Sequence, residues 1–355
     1  MHHLKSTIFK AGLNSLYYTG AYRALAPAWQ GMGAILMLHH VRPGADAERK
    51  TRFAPNGILE VSPEFLDAVI RRIRAKNIDI VSLDEAHRRL TGGGGAGRFV
   101  CFTFDDGYRD NFEQAYPVLK RHDCPFTVYV ATDLPDGRAE LWWLALETII
   151  AGNDALEVTL GGKKLALPTA SVAQKYEAWD RIYWPLRAMG EQEQSAFMSA
   201  FAAAHGVDMS AYSRQLSMSW DEITQMERDS LCTIGAHTVS HRALAKLSGV
   251  DMMDEIMQSR DIIAGHIGKT PQHFCYPFGD EGSAAAREFR AASEAGFKTA
   301  VTTRKGVVFP EHAGYLTALP RVSLNGDFQQ LKYLDVFLSG APFALWNRFR
   351  KINAA

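Results

Sequence analysis

The chain has 355 residues, with 39 Lys+Arg against 39 Asp+Glu, 47% hydrophobic and 22% charged residues. That balance is ordinary for a folded domain; it excludes a collagen-like or low-complexity chain and gives no electrostatic case for a nucleic-acid partner. The four cysteines, Cys101, Cys124, Cys232 and Cys275, are scattered, so neither a disulfide framework nor a Cys-x-x-Cys metal site is expected.

Residues 1–30 place Leu4, Ile8, Phe9, Leu13, Leu16, Tyr17 and Tyr18 along one helical face, with Lys5, Lys10 and Arg23 among them. No continuous apolar core precedes a small-residue cleavage site, and no stretch is long enough to span a bilayer. The expectation is a cytoplasmic protein. The segment reads either as a helix packed on the domain or as one lying on a membrane surface. Residues 343–351 have the same aromatic-basic character and leave the same choice.

Residues 34–38 form a short apolar strand that runs into His39 and His40. Ser62-Pro63 opens a helix with an N-cap serine and proline at the first helical position. A strand follows over 78–81, and Ser82 with Glu85 has the spacing of a capping box. The glycines 92–95 lack the lysine and pattern of a phosphate loop. Residues 98–104 are apolar, aromatic and β-branched, which predicts a buried strand. Asp105, Asp106 and Gly107 stand at its end. Neighbours on a strand point to opposite sides, so the two carboxylates need not do the same job. Burying both is unfavourable unless a cation or hydrogen bonds compensate. A helix over 111–122 and a strand over 126–130 continue an alternation that implies parallel βα units.

Residues 139–218 break that rhythm. A helix led by Leu141-Trp142-Trp143-Leu144, a hairpin over 156–167 with Gly161-Gly162 at its centre and helices over 176–189 and 191–205 predict a mostly helical insertion. Trp142, Trp143, Trp179 and Trp184 suit sugar stacking, but most are expected in the core. Ser219 and Glu222 form a second capping box. The strand from Cys232 runs into His237 and His241, which would share a face on a helical turn. Two imidazoles and a carboxylate make a three-ligand metal set with open coordination positions. A helix over 252–267, the stretch His273–Gly279 written as HFCYPFG, and Leu319-Pro320-Arg321-Val322 complete the chain's chemistry-bearing segments.

Thr103-Phe104-Asp105-Asp106-Gly107 together with His237-Thr238-Val239-Ser240-His241 resembles the NodB-homology polysaccharide deacetylases, carbohydrate esterase family four. The resemblance covers roughly residues 33–138 and 219–325. It implies an α/β fold, a distorted (β/α) barrel of NodB-homology type with a mostly helical insertion. A catalytic domain over 31–330 would be flanked by helical segments 1–30 and 331–355. It implies that Asp106, His237 and His241 hold a divalent cation, Zn²⁺ first, with Co²⁺ or Ni²⁺ also fitting, and that Asp105 is the general base. The family's late histidine motif is absent. Leu36-Met37-Leu38-His39 resembles its circularly permuted form in the poly-N-acetylglucosamine deacetylases, making His39 the general acid. Phe278 takes the place of the aromatic whose N–H holds the oxyanion, and Tyr276 a place along the groove. Cys275 stands where the arginine that orients the base is expected. Arg321 is either its replacement or a surface ion pair.

The implied activity is removal of N-acetyl groups from amino sugars of an oligo- or polysaccharide. The partner would be an N-acetylated glycan, with no nucleic acid and with peripheral membrane contact left open. An O-acetyl esterase or a lipid-linked sugar deformylase would use the same site. A glycan-binding protein with a degenerate site is the alternative of another class.

Overall fold

Alternation of side chains along the short strands decides the architecture. The computed structural model describes residues 2–44 and 52–354, with side chains from residue 8 onward. Leu4 and Lys5 therefore have no described side chains. In chain order the strands are β1 (Gly33–Leu38), β2 (His40–Val41), β3 (Glu60–Val61), β4 (Asp79–Ile80), β5 (Phe99–Phe104), β6 (Phe126–Val130), β7 (Ala155–Leu160), β8 (Lys163–Pro168), β9 (Cys232–Ala236), β10 (His273–Cys275), β11 (Thr299–Lys305) and β12 (Leu319–Ser323). Seven of them, in the order β1-β12-β11-β10-β9-β6-β5, form a parallel ring. It closes where β1 pairs with β5 over its full length, Gly33 beside Phe99 to Leu38 beside Phe104. The first barrel strand thus lies next to the last, with Leu36 beside Val322. Strand β4 adds to the outer edge of β5.

Strands buried on both faces need apolar residues at every position, and β1, β5 and β6 are buried throughout. One set of alternating residues, such as Leu36, Leu38, Val100, Phe102, Phe104, Val128, Ile234, Phe274 and Val322, packs against the surrounding helices. The other set, Ile35, Phe99, Cys101, Tyr129, Cys275, Val301 and Leu319, fills the barrel. Each strand therefore has an inward register that continues past its C-terminal end.

The insertion has a core of its own, built from Trp143, Leu146, Ile150, Leu156, Trp179, Ile182 and Leu186. It comprises helix Trp142–Gly152, the β7–β8 hairpin and helices Val172–Ala188, Glu191–Ala204 and Met209–Leu216. The hairpin turns on Gly161 and Gly162, both at positive φ. Two sequence expectations change at this level. Ser82 accepts from the Glu85 N–H, but the Glu85 carboxylate bonds Arg89 and the Gly95 N–H, so the box is only half made. The helix predicted over 111–122 begins with a wide turn, Asn111–Ala115, before Tyr116–Arg121. The four cysteines are free and buried.

Candidate active site

The inward register determines what meets at the C-terminal mouth of the barrel. On β5, Phe99, Cys101, Thr103 and then Asp105 face inward. The same parity brings in His39 after β1, His237 after β9, Cys275 on β10 and Arg321 on β12. Inside the barrel, Arg321 makes a bidentate pair with Asp105, 2.7 Å to each carboxylate oxygen. It also donates to the Thr302 carbonyl at 2.8 Å and lies 3.2 Å from the Cys275 sulfur. Of the two readings left for Arg321, the surface ion pair does not hold, because the side chain is fully buried. Burial pushes the Asp105 pKa up, but the Arg321 charge and its hydrogen bonds outweigh this and hold it below the usual range. Asp105 is therefore an ionised carboxylate with a fixed orientation.

Asp106 turns the other way, with φ at 74°. Its Oδ1 lies 3.3 Å from His237 Nε2 and 3.2 Å from His241 Nε2. Yet neither ring N–H is aligned on it, and this buried oxygen has no hydrogen bond. His237 Nδ1 is 2.7 Å from the Cys275 carbonyl, an acceptor, so Nδ1 carries a proton, which leaves Nε2 as the ring atom that would ligate a cation. One carboxylate oxygen and two imidazole nitrogens thus converge within 4.8 Å of one another. This donor set fits a divalent cation. Asp105, His237 and Cys275 also come within 4.8 Å. That second group suits a cation poorly: Arg321 already neutralises Asp105, and burial pushes the Cys275 thiol up, so it stays protonated.

His237 and His241 are not on a helical turn as expected. A loop joins them, with Thr238 and His241 both in the left-handed region, φ 67° and 58°. The Thr238 hydroxyl accepts from the His241 N–H at 3.1 Å. Glu255, from helix Gly249–Ile267, takes the Val239 and Ser240 N–H groups at 2.9 Å each. Such strained residues are costly and persist where surrounding contacts over-determine them. The sequence analysis missed Glu255; a carboxylate far along the chain carries no local signal for capping a loop.

His39 is half-buried, with Nε2 3.8 Å from Asp105 Oδ2. Burial lowers its pKa, opposed by the charges of Asp105 and Asp106. Its backbone is gripped by residues that follow the aspartate pair. Asn111 donates to the His39 carbonyl at 2.6 Å, and Asp110 accepts from the Val41 N–H at 3.2 Å. His40 points away, paired with Asp110 at 2.6 Å and stacked on Tyr108 at 3.7 Å. Two further histidines lie away from the site. His273 starts β10 at the opposite end of the barrel, bonded to Thr299, and His312 caps the turn at Phe309.

Phe278 stands at φ 61°, its carbonyl accepting from the Thr303 hydroxyl at 2.6 Å. Its ring is 5.0 Å from that of His241 and 6.1 Å from that of Trp143. The Arg187 guanidinium covers it at 3.7 Å. No acceptor among the described residues takes the Phe278 N–H. His241, Phe278, Trp142 and Trp143 line a cavity of about 260 Å³, together with Gln194 and Met198 from a second helix of the insertion. Tyr276, in contrast, is not in the groove. It has outward parity on its strand, is 1% exposed, and its hydroxyl donates to the Thr317 carbonyl at 2.8 Å among Phe274 and Phe289.

A parallel barrel whose mouth brings Asp105 and Asp106 beside His237 and His241 is the arrangement to which the comparisons also point. The family model for polysaccharide deacetylase matches residues 92–156 and 173–300, and the chain belongs to that family. Among solved structures, the Streptococcus pyogenes deacetylase PplD in complex with acetate is similar at 19% identity. The match covers 86% of this chain and 97% of that one, with a TM-score of 0.56. IcaB from Ammonifex degensii is 17% identical, covering 87% and 97%, with a TM-score of 0.53. A de-N-acetylase from Aggregatibacter actinomycetemcomitans is 14% identical, covering 86% and 99%, with a TM-score of 0.56. At these identities the likeness concerns the fold. No curated protein matches.

Proposed function

We propose that the protein hydrolyses the N-acetyl group of an amino sugar in an oligo- or polysaccharide, with Asp106, His237 and His241 as ligands of a divalent cation. The observation that carries this reading is the division of labour between the aspartates: Asp105 is held by Arg321, while Asp106 offers an unbonded oxygen beside two imidazoles. When bound, the cation would supply Lewis acidity toward the acetyl carbonyl and a water acidic enough to deprotonate near neutral pH. Zn²⁺ suits two imidazoles and one carboxylate, and Co²⁺ and Ni²⁺ fit the same donors.

Asp105 accepts the proton of the attacking water, since Arg321 keeps it ionised and aimed. The Phe278 N–H donates to the oxygen that becomes negative. As the C–N bond breaks, His39 gives a proton to the nitrogen, because an amide anion is too poor a leaving group. The products are acetate and the free amine. Trp142 and Trp143 supply apolar surface beside the reacting group, of the kind that packs on a sugar face.

The test is acetate release from N-acetylated glucosamine oligosaccharides before and after chelation. Activity should vanish with the metal and return on adding Zn²⁺ or Co²⁺. Full activity of a metal-free preparation would exclude the reading.

A further inference from the structure

Residues 1–30 carry Lys5, Lys10 and Arg23 and no acidic residue; residues 341–355 carry Arg348, Arg350 and Lys351 and again none. The chain as a whole is balanced, so the remaining residues hold 33 basic against 39 acidic groups. Basic groups are therefore concentrated in two segments remote in sequence, where Lys10 pairs with Asp327 at 3.3 Å and Lys351 with Glu311 at 2.7 Å.

Those two segments pack together. Phe9 lies edge-on to Trp346 at 5.8 Å, and Trp29 edge-on to Phe349 at 5.6 Å. Leu13 is buried in the main core, so helix His2–Tyr18 is docked on the barrel. Docking consumes only one side of the surface. Five of the nine large hydrophobic side chains exposed on the described residues belong to these segments: Ile8, Tyr18, Leu345, Trp346 and Phe349. Trp346 and Phe349 are 56% and 59% exposed. Cations sit directly against the aromatics, with Lys305 3.7 Å over Trp346 and Lys332 5.3 Å over Tyr18.

We infer that this aromatic-basic face is a docking surface for an anionic membrane. Exposed Trp and Tyr partition to the headgroup level of a bilayer, and clustered Lys and Arg are drawn to anionic lipid. Neither feature alone selects the occupant. A nucleic acid would use the cations and leave Ile8, Leu345 and Phe349 in water. A protein partner would use the apolar residues without needing the charge asymmetry. A bilayer surface uses both. No helix among the described residues is long and apolar enough to cross a membrane, so the contact is interfacial. The inference does not depend on the reaction proposed above.

Co-sedimentation of the full chain with phosphatidylcholine vesicles, with and without 30% phosphatidylglycerol, tests it. Binding should require the anionic lipid and weaken as salt is raised. Trp346→Ser with Phe349→Ser, and separately Arg348→Glu with Arg350→Glu, should each reduce binding at least tenfold while leaving the far-UV spectrum unchanged. Trp184→Ser, which removes an exposed aromatic on the insertion, should bind as the parent does. Parent-like vesicle binding by either double variant overturns the inference, as does absence of binding by the parent. A dimer abolished by the Trp346/Phe349 variant would make a second copy the occupant and overturn it. Undiminished heparin binding by that variant, without vesicle binding by the parent, would do the same.

Discussion

Asp105 and Asp106 are neighbours in sequence and opposites in environment. A guanidinium holds both oxygens of one; an unbonded oxygen faces two imidazoles on the other. The role of Arg321 follows from the same contrast. Arg321→Met would leave Asp105 buried without its countercharge, which typically costs about 3–5 kcal/mol. The variant should unfold at lower temperature, and the acid limb of its pH–rate profile should move to higher pH, because loss of the cation raises the Asp105 pKa. An unmoved acid limb would deny that Asp105 is the base. His39 makes a different prediction. Its removal should depress amide hydrolysis by roughly 10²–10⁴-fold, yet affect an activated aryl acetate little, since a phenolate leaves unprotonated. Equal losses on the two substrates would assign His39 to positioning. Parity explains why Tyr276 was misplaced in the sequence analysis and Arg321 left undecided. Cys275 and Arg321 share the inward register, and Tyr276 is one residue out of it, but register is set by strand pairing, which a three-residue strand such as β10 does not encode locally.

At the scale of elements, turns and caps were partly legible. The Ser62 cap, the Ser219–Glu222 box and the Gly161-Gly162 hairpin rest on contacts within a few residues, and all are present. The loop joining His237 to His241 was not legible. Its shape depends on Glu255, a full helix away, and on left-handed backbone at Thr238 and His241 that no local propensity favours. The turn at residues 309–312 carries a pH prediction. His312 Nδ1 accepts from the Phe309 N–H at 3.0 Å, and burial lowers its pKa to about 4. Its folded pKa lies below its unfolded one, so the unfolded chain binds the proton first. Stability should fall as pH drops from about 6.5 to about 4, by about 3 kcal/mol for this group. Thermal melts across that range should show a smaller decline for His312→Gln, which retains an acceptor but does not titrate; identical slopes would remove His312 from the account.

At the scale of the whole molecule, the barrel was foreshadowed by alternating strands and helices, but closure was not. Which strands end up side by side depends on contacts some 280 residues apart, such as Leu36 with Val322, and only the early His39 strand and the lack of a late one hinted at it. The insertion was legible as a break in rhythm. Its position over the site was not, because Trp143 reads as core and is core, while its ring also stands 5.1 Å from that of His241. In the proposed reaction this assembly divides two carboxylates between a metal and a proton. The most direct test is metal content and acetate release measured together on purified Asp105→Asn and Asp106→Asn. Asp105→Asn should retain one equivalent of metal and lose orders of magnitude in kcat, whereas Asp106→Asn should lose the metal. Metal loss from Asp105→Asn, with retention by Asp106→Asn, would contradict the assignment.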